Sequence, residues 1–112
     1  MDEDFEDIIQ EFMIESTEGL DQLDRDLVAL EQDPESKETI ASIFRTVHTI
    51  KGTSGFLSFS KLEKVAHAGE NLLSLIRDGK LKVHIGIVNT LLSMGDAIRE
   101  MLDHLRCHHA VN

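Results

Sequence analysis

The sequence predicts an all-α protein, an antiparallel up-down-up-down four-helix bundle, and three observations carry that prediction. Apolar residues recur at spacings of three and four through four successive stretches, the period of one helix face. Trp and Tyr are absent and Pro occurs once among plentiful aliphatic residues, a balance that disfavours a sandwich or barrel. The connections between the stretches are short, which makes consecutive helices antiparallel neighbours. With 112 residues the chain can bury one core, so a single domain is expected across 1–112. No internal repeat or low-complexity linker interrupts it.

The first helix is expected from about Asp4 to Glu31, with Phe5, Ile8, Ile9, Phe12, Met13, Leu20, Leu23, Leu27 and Leu30 on the apolar side and acidic residues opposite. Glu15 to Gly19 breaks the stripe, so a bend or a thinner contact is expected there. Asp33-Pro34 ends the helix: Pro34 lacks an amide hydrogen and suits the first position of the next helix, with Asp33 as its cap. The second helix carries Ile40, Ile43, Phe44, Val47 and Ile50 as core. Phe56-Leu57-Ser58-Phe59 reads as an apolar connector that tucks inward, and Ser60 with Glu63 as a capping box opening the third helix. That helix buries Leu62, Val65, Ala66, Gly69, Leu72, Leu73 and Ile76, Gly69 allowing close packing, and stops at Asp78-Gly79, a glycine C-cap signal. The fourth runs from about Ile85 to Leu105 on Val88, Leu91, Leu92, Ile98, Met101, Leu102 and Leu105, with His84 serving its N-terminus.

Charge and composition exclude several function classes. A formal net charge of −10 argues against nucleic acid, whose phosphates need a basic surface, and against anionic membranes. The single cysteine, Cys107, rules out an internal disulfide framework and fits a reducing compartment. No run of about 18 apolar residues exists, and Met1-Asp2-Glu3-Asp4 is acidic where a signal peptide would be basic. A soluble, cytoplasmic, monomeric domain with no membrane insertion is expected.

The stretch that carries chemistry is Val47-His48-Thr49-Ile50-Lys51-Gly52-Thr53-Ser54-Gly55-Phe56. Lys51 lies one turn beyond His48 and can reach an anion attached to that imidazole. His48 falls roughly 80–100° from the middle of the apolar stripe, which places it at the edge of the core. Gly52 and Gly55 would each cost about 1 kcal/mol relative to alanine in a helix, so close approach by another protein is the better explanation for them. With Phe56 they are candidate partner-docking residues. A histidine accepts a phosphoryl group only with one ring nitrogen unprotonated and exposed, and its tautomer follows the partner of the other nitrogen. Glu70, off the core stripe of the third helix by a similar angle, is the candidate partner for Nδ1, with His67 one turn before it. Each of these residues also has an ordinary reading as a boundary histidine or a solvated charge. Their conjunction favours chemistry.

A second histidine group lies near the C-terminus. Glu100, His104 and His108 fall at i, i+4 and i+8, with Cys107 and His109 beside them, a spacing that can hold zinc. No fourth ligand with matching geometry is visible elsewhere, and a frayed tail is the preferred reading. His104 and His108 are therefore weak metal candidates only, and no bound metal or cofactor is expected.

Ile43-Phe44-Arg45-Thr46-Val47-His48-Thr49-Ile50-Lys51-Gly52, then Gly55-Phe56, then Ala66-His67-Ala68-Gly69-Glu70-Asn71-Leu72-Leu73, resemble the histidine phosphotransfer (HPt) domains. The second histidine followed by Glu-Asn-Leu-Leu resembles the P1 domains of the chemotaxis histidine kinase CheA. The resemblance spans nearly the whole chain. It implies a helical bundle in which His48 is the phosphorylation site, Glu70 its bonded carboxylate, and Lys51 and His67 its polar surroundings. It further implies ATP as phosphoryl source through a separate CheA-type kinase domain, and an aspartate of a CheY- or CheB-type response regulator as recipient. The chain itself has no Gly-rich nucleotide loop, so it reads as a substrate and relay of a kinase. CheA P1 domains often carry a further helix and are followed by regulator-binding, dimerisation, kinase and coupling domains. None is present here, which suggests a domain excised from the N-terminus of a larger kinase. A freestanding phosphotransfer protein, a helical metal-binding protein and a purely structural bundle are the alternatives.

Overall fold

The computed structural model describes the backbone of residues 2–110 and the side chains of residues 5–106. Four helices follow one another: α1 (Asp2–Gln32), α2 (Lys37–Phe56), α3 (Ser60–Arg77) and α4 (Ile85–Ala110). Each packs against its neighbours in order, and α4 closes the ring on α1, with α2 against α3 the most intimate pair. The result is the expected up-down-up-down bundle, 46 Å long and 21 by 20 Å across. Leu20, Leu23, Leu27, Leu30, Ile43, Val47, Leu73, Leu91, Ile98 and Leu102 form a core with almost no solvent contact. Burying each such side chain contributes about 1.5–3 kcal/mol before chain entropy is set against it.

Several local expectations need correction. The α1 stripe starts one turn later than its spacing suggests, since Phe5 and Ile8 are nearly half exposed while Ile9, Phe12 and Met13 are buried. The Glu15 to Gly19 interruption leaves the helix unbroken and thins its contact with α2 instead. Ser16 turns inward there, and a Cβ on Gly19 would meet Thr46 Cγ2 at 3.2 Å. A groove of about 240 Å³ remains between α1 and α2, lined partly by Phe12, Ser16, Gly19, Thr46 and Thr49.

Helix α2 opens at Lys37, three residues later than Pro34 predicts. Ser36 is the cap, its Oγ accepting the Thr39 N–H at 3.2 Å, while the Asp33 carbonyl accepts the Ser36 N–H at 3.1 Å to close a turn. Asp33 therefore shapes the turn and Pro34 sits within it. The Ser60–Glu63 capping box does not form, because Ser60 is already the first residue of α3. Phe59 occupies the cap position, and its carbonyl accepts the Glu63 N–H at 2.9 Å. Glu63 lies against Gly55 instead, where a Cβ would stand 2.5 Å from its Oε2.

The α2–α3 connection is tight because Ser58 adopts a left-handed φ of 64°. Its N–H donates to Gly55 O at 3.1 Å and the Phe59 N–H to Ser54 O at 2.8 Å, the paired bonds that satisfy the last carbonyls of a helix. Gly79, with φ 77°, closes α3 in the same way as the sequence predicts. Leu57 is buried and Phe59 packs on Phe12 with centroids 5.8 Å apart, so the connector does turn inward. Phe56 does not. It is the last residue of α2 and is 78% exposed. His84 serves α4 as expected: its Nδ1 accepts the Gly86 N–H at 3.1 Å.

Candidate functional site

The intimate α2–α3 contact decides which residues meet. Val47 and Ile50 on α2, and Ala66, Gly69 and Leu73 on α3, are buried, and Gly69 has no room for a side chain because Met94 and Val47 crowd it. With the two helices this close, side chains flanking the shared stripe face each other across the outer edge of the contact. There His48 Nδ1 lies 2.9 Å from Glu70 Oε2, and Lys51 Nζ 3.1 Å from Glu70 Oε1. The expected pairing of residues 22 apart in sequence is present. One carboxylate is shared by both bases.

Burial pushes the Glu70 carboxyl up, but hydrogen bonds from His48 and Lys51, with the Lys51 and His48 charges, outweigh that and hold it below its ordinary value of 4.5. It is ionised at neutral pH and offers only lone pairs, so His48 Nδ1 must carry the hydrogen between them. In the neutral ring Nε2 is then left with its lone pair. The His48 side chain is 58% exposed while that of Glu70 is 14% exposed, so the orienting group is sheltered and the ring is open.

Lys51 differs from the expectation in one respect. It reaches Glu70 rather than waiting free beside His48, and so helps to hold the carboxylate that holds the ring. His67 is exposed on α3, one turn before Glu70, and makes no hydrogen bond among the described residues. Gly52 is exposed with nothing within 4 Å of where a Cβ would be, and Phe56 is exposed one turn further along α2. Gly55 is covered by Glu63 and is not open to a partner in the same way.

Phe44, expected as plain core, is half-buried instead, and its ring lies 9° from parallel to the His48 ring with centroids 6.0 Å apart. The Arg77 guanidinium of α3 sits over the same Phe44 ring, 4.7 Å from its centroid. The i, i+4 spacing of Phe44 and His48 was the available signal.

On α4, among the described residues no group of three His, Cys, Asp or Glu side chains could hold a metal ion. The side chains of Cys107, His108 and His109 lie outside the described residues, so the His104–His108 pairing falls there too.

A helical bundle presenting one oriented, solvent-open histidine on its flank is the architecture of a phosphotransfer module. The chain belongs to the Hpt domain family, whose model matches residues 7–107. It is 38% identical over 104 residues to the sensor histidine kinase CheAY of Helicobacter pylori, covering 93% of this chain and 13% of that protein. It is 37% identical over 102 residues to the chemotaxis protein CheA of Borreliella burgdorferi, covering 91% of this chain and 12% of that protein. The chain thus spans only about an eighth of those curated relatives. Among solved structures it is similar to the CheA phosphotransferase domain from Thermotoga maritima, with a TM-score of 0.83, 33% identity, and coverage of 87% of this chain and 92% of that one. It is also similar to the phosphorylated P1 domain of CheA3 in complex with CheY6 from R. sphaeroides, with a TM-score of 0.85, 31% identity, and coverage of 92% and 80%. Among the described residues no helix is long and apolar enough to cross a membrane.

Proposed function

We propose that this domain is the phosphoryl carrier of a CheA-type chemotaxis kinase and that His48 Nε2 is the atom that carries the group. The observation behind the reading is the 2.9 Å bond from His48 Nδ1 to a sheltered, ionised Glu70 beneath a ring open to solvent. The Nε2 lone pair attacks the γ-phosphorus of ATP held by a separate kinase domain. An N–P bond forms, the bond to the bridging oxygen breaks, and that electron pair leaves with ADP. The Nδ1 hydrogen stays on the ring, so positive charge develops on the imidazole, and Glu70 offsets it. In the reverse sense, an aspartate oxygen of a CheY- or CheB-type regulator attacks phosphorus, and the N–P pair returns to Nε2. The ring leaves unchanged.

Lys51 acts mainly through Glu70 in this scheme, and His67 is a polar neighbour free to meet the incoming phosphoryl group. Gly52 and Phe56 form the open part of the docking edge. The domain is a substrate of its kinase, in keeping with a sequence that holds no Gly-rich nucleotide loop. The reading is tested by incubating the chain with ATP and a CheA-type kinase domain, then assaying phosphate that is acid-labile and base-stable. Wild type should be labelled. His48→Gln should fold normally and take up none; labelling of that variant would remove His48 as the acceptor.

A further inference from the structure

A hydrogen bond at Nδ1 settles which nitrogen of His48 faces inward, but it leaves the ring free to rock about that contact. The terminal torsion of a histidine is intrinsically broad, and the exposed side of this ring meets only solvent. Nε2 lies across the ring from Nδ1, so a modest rocking moves the attacking lone pair well off line. Something must limit the tilt.

We propose that Phe44 is a positioning residue for His48, setting the plane of the imidazole by stacking against it, with Arg77 of α3 holding the Phe44 ring in place. A separation of 6.0 Å at 9° is an offset parallel stack, a favourable arrangement for two aromatic rings. Phe44 is one turn before His48 on the same helix, so the contact comes with the helix and needs no loop to order it. Arg77, at 4.7 Å from the Phe44 centroid, is within cation–π range, and its Nε also meets Asp78 Oδ1 at 3.4 Å. The imidazole is therefore fixed from two directions: Glu70 selects the nitrogen, and Phe44 selects the plane. Helix α3 contributes to both, through Glu70 and through Arg77 seven residues later on the same flank.

The proposal rests on His48 being the acceptor, and its test separates the two. The full chain is compared as wild type, Phe44→Leu, Phe44→Tyr and Arg77→Gln, with circular dichroism to check the fold. Long-range 1H–15N spectra of the His48 ring are read without any phosphate. Phe44→Leu should move the ring-proton shifts, by loss of the ring current, while the Nδ1–H tautomer held by Glu70 persists. Phosphorylation by a CheA-type kinase domain and ATP is then read as kcat and KM for the domain. Phe44→Leu should lower kcat about tenfold with KM little changed, the cost of losing a near-attack orientation. Phe44→Tyr should keep the rate within about twofold of wild type, and Arg77→Gln should lower it by a smaller factor of about two.

A folded Phe44→Leu with undiminished kcat overturns the proposal, as does a loss that Phe44→Tyr fails to restore. Should Phe44→Leu fail to fold, Arg77→Gln decides in its place, because it alters an exposed side chain: an unshifted His48 ring would overturn the proposal. If wild type takes up no phosphate, the acceptor reading fails by itself. The ring shifts then decide whether the stack exists in solution.

Discussion

Among the described residues, two clusters of charge join one helix to another, and they are built in opposite ways. On the α2–α3 edge one carboxylate, Glu70, serves two bases, His48 at 2.9 Å and Lys51 at 3.1 Å, and is itself mostly sheltered. On the α1–α4 edge one guanidinium, Arg99, serves two carboxylates, Asp21 Oδ1 at 3.2 Å and Asp24 Oδ2 at 2.6 Å, both about half exposed. The second arrangement fastens α4 to α1 and leaves no reactive atom behind, because a guanidinium is always protonated. The first leaves a lone pair on Nε2. What differs is which partner has an atom to spare, and in the proposed function that spare atom is the one that takes up the phosphoryl group.

Glu70 is where the two clusters should differ most. Replacing it with alanine removes the acceptor for Nδ1–H and the anchor of Lys51, so phosphorylation should slow by about 10–100-fold, as for loss of the partner that orients a reactive histidine. Chemical denaturation should show little loss of stability, since the ring is already largely in water. A rate within a factor of two of wild type would mean that Glu70 is only a fastening, like Asp21 and Asp24.

Lys51→Ala should have a smaller effect of about three- to tenfold on the same rate, because Glu70 keeps one of its two partners. The effect should be largely absent in a Glu70→Ala background, a coupling that a double-mutant cycle would measure. Two independent losses would contradict the placement of Lys51 behind Glu70.

Acid sharpens the contrast. The folded-state value of Glu70 is depressed below 4.5, so its contribution to stability is fully present above that value and is lost as pH falls through the lower folded one. The stability gap between wild type and Glu70→Gln should therefore be present above pH 4.5 and shrink as pH falls below it. Denaturant unfolding at a series of pH values would measure it, and a gap that widened on acidification would have the wrong sign. Arg99→Ala should do the reverse of Glu70→Ala: phosphorylation unchanged, and stability lower by at most about 1 kcal/mol because the pairs are solvent-screened.

The smallest expected effect lies away from both clusters. Ser58 holds a left-handed conformation that glycine adopts without steric cost, so Ser58→Gly should raise stability by up to about 1 kcal/mol, offset in part by the entropy of a freer unfolded chain. Thermal unfolding would register it, and phosphorylation should not change.

How far the sequence reveals this molecule follows from which forces are periodic. The helices and the meeting of His48 with Glu70 were legible, because apolar spacing fixes the faces of α2 and α3 and short connections fix their direction. Gly79 was legible as a helix stop because glycine is the usual residue at a left-handed position, whereas Ser58 performs the same task with no such marker. Ser36 outcompeted Asp33 as a cap through a choice of turn three residues long, too local for spacing to resolve. The attachment of Lys51 to Glu70 and the stack of Phe44 on His48 depend on side-chain torsions, which a one-dimensional pattern does not contain. Phe56 was misplaced for a related reason: its neighbours Leu57 and Phe59 turn inward, and one residue along a helix end reverses the face.

If Glu70 holds the Nδ1 hydrogen, Nε2 is the atom that receives the phosphoryl group. The chain labelled with 15N in its histidines and phosphorylated by a kinase domain would test it directly, through the ring-nitrogen shifts and the 31P resonance of the product. A single phosphohistidine is expected, at His48, with phosphorus on Nε2 and the hydrogen still on Nδ1. Phosphorus on Nδ1, or on His67, would contradict it.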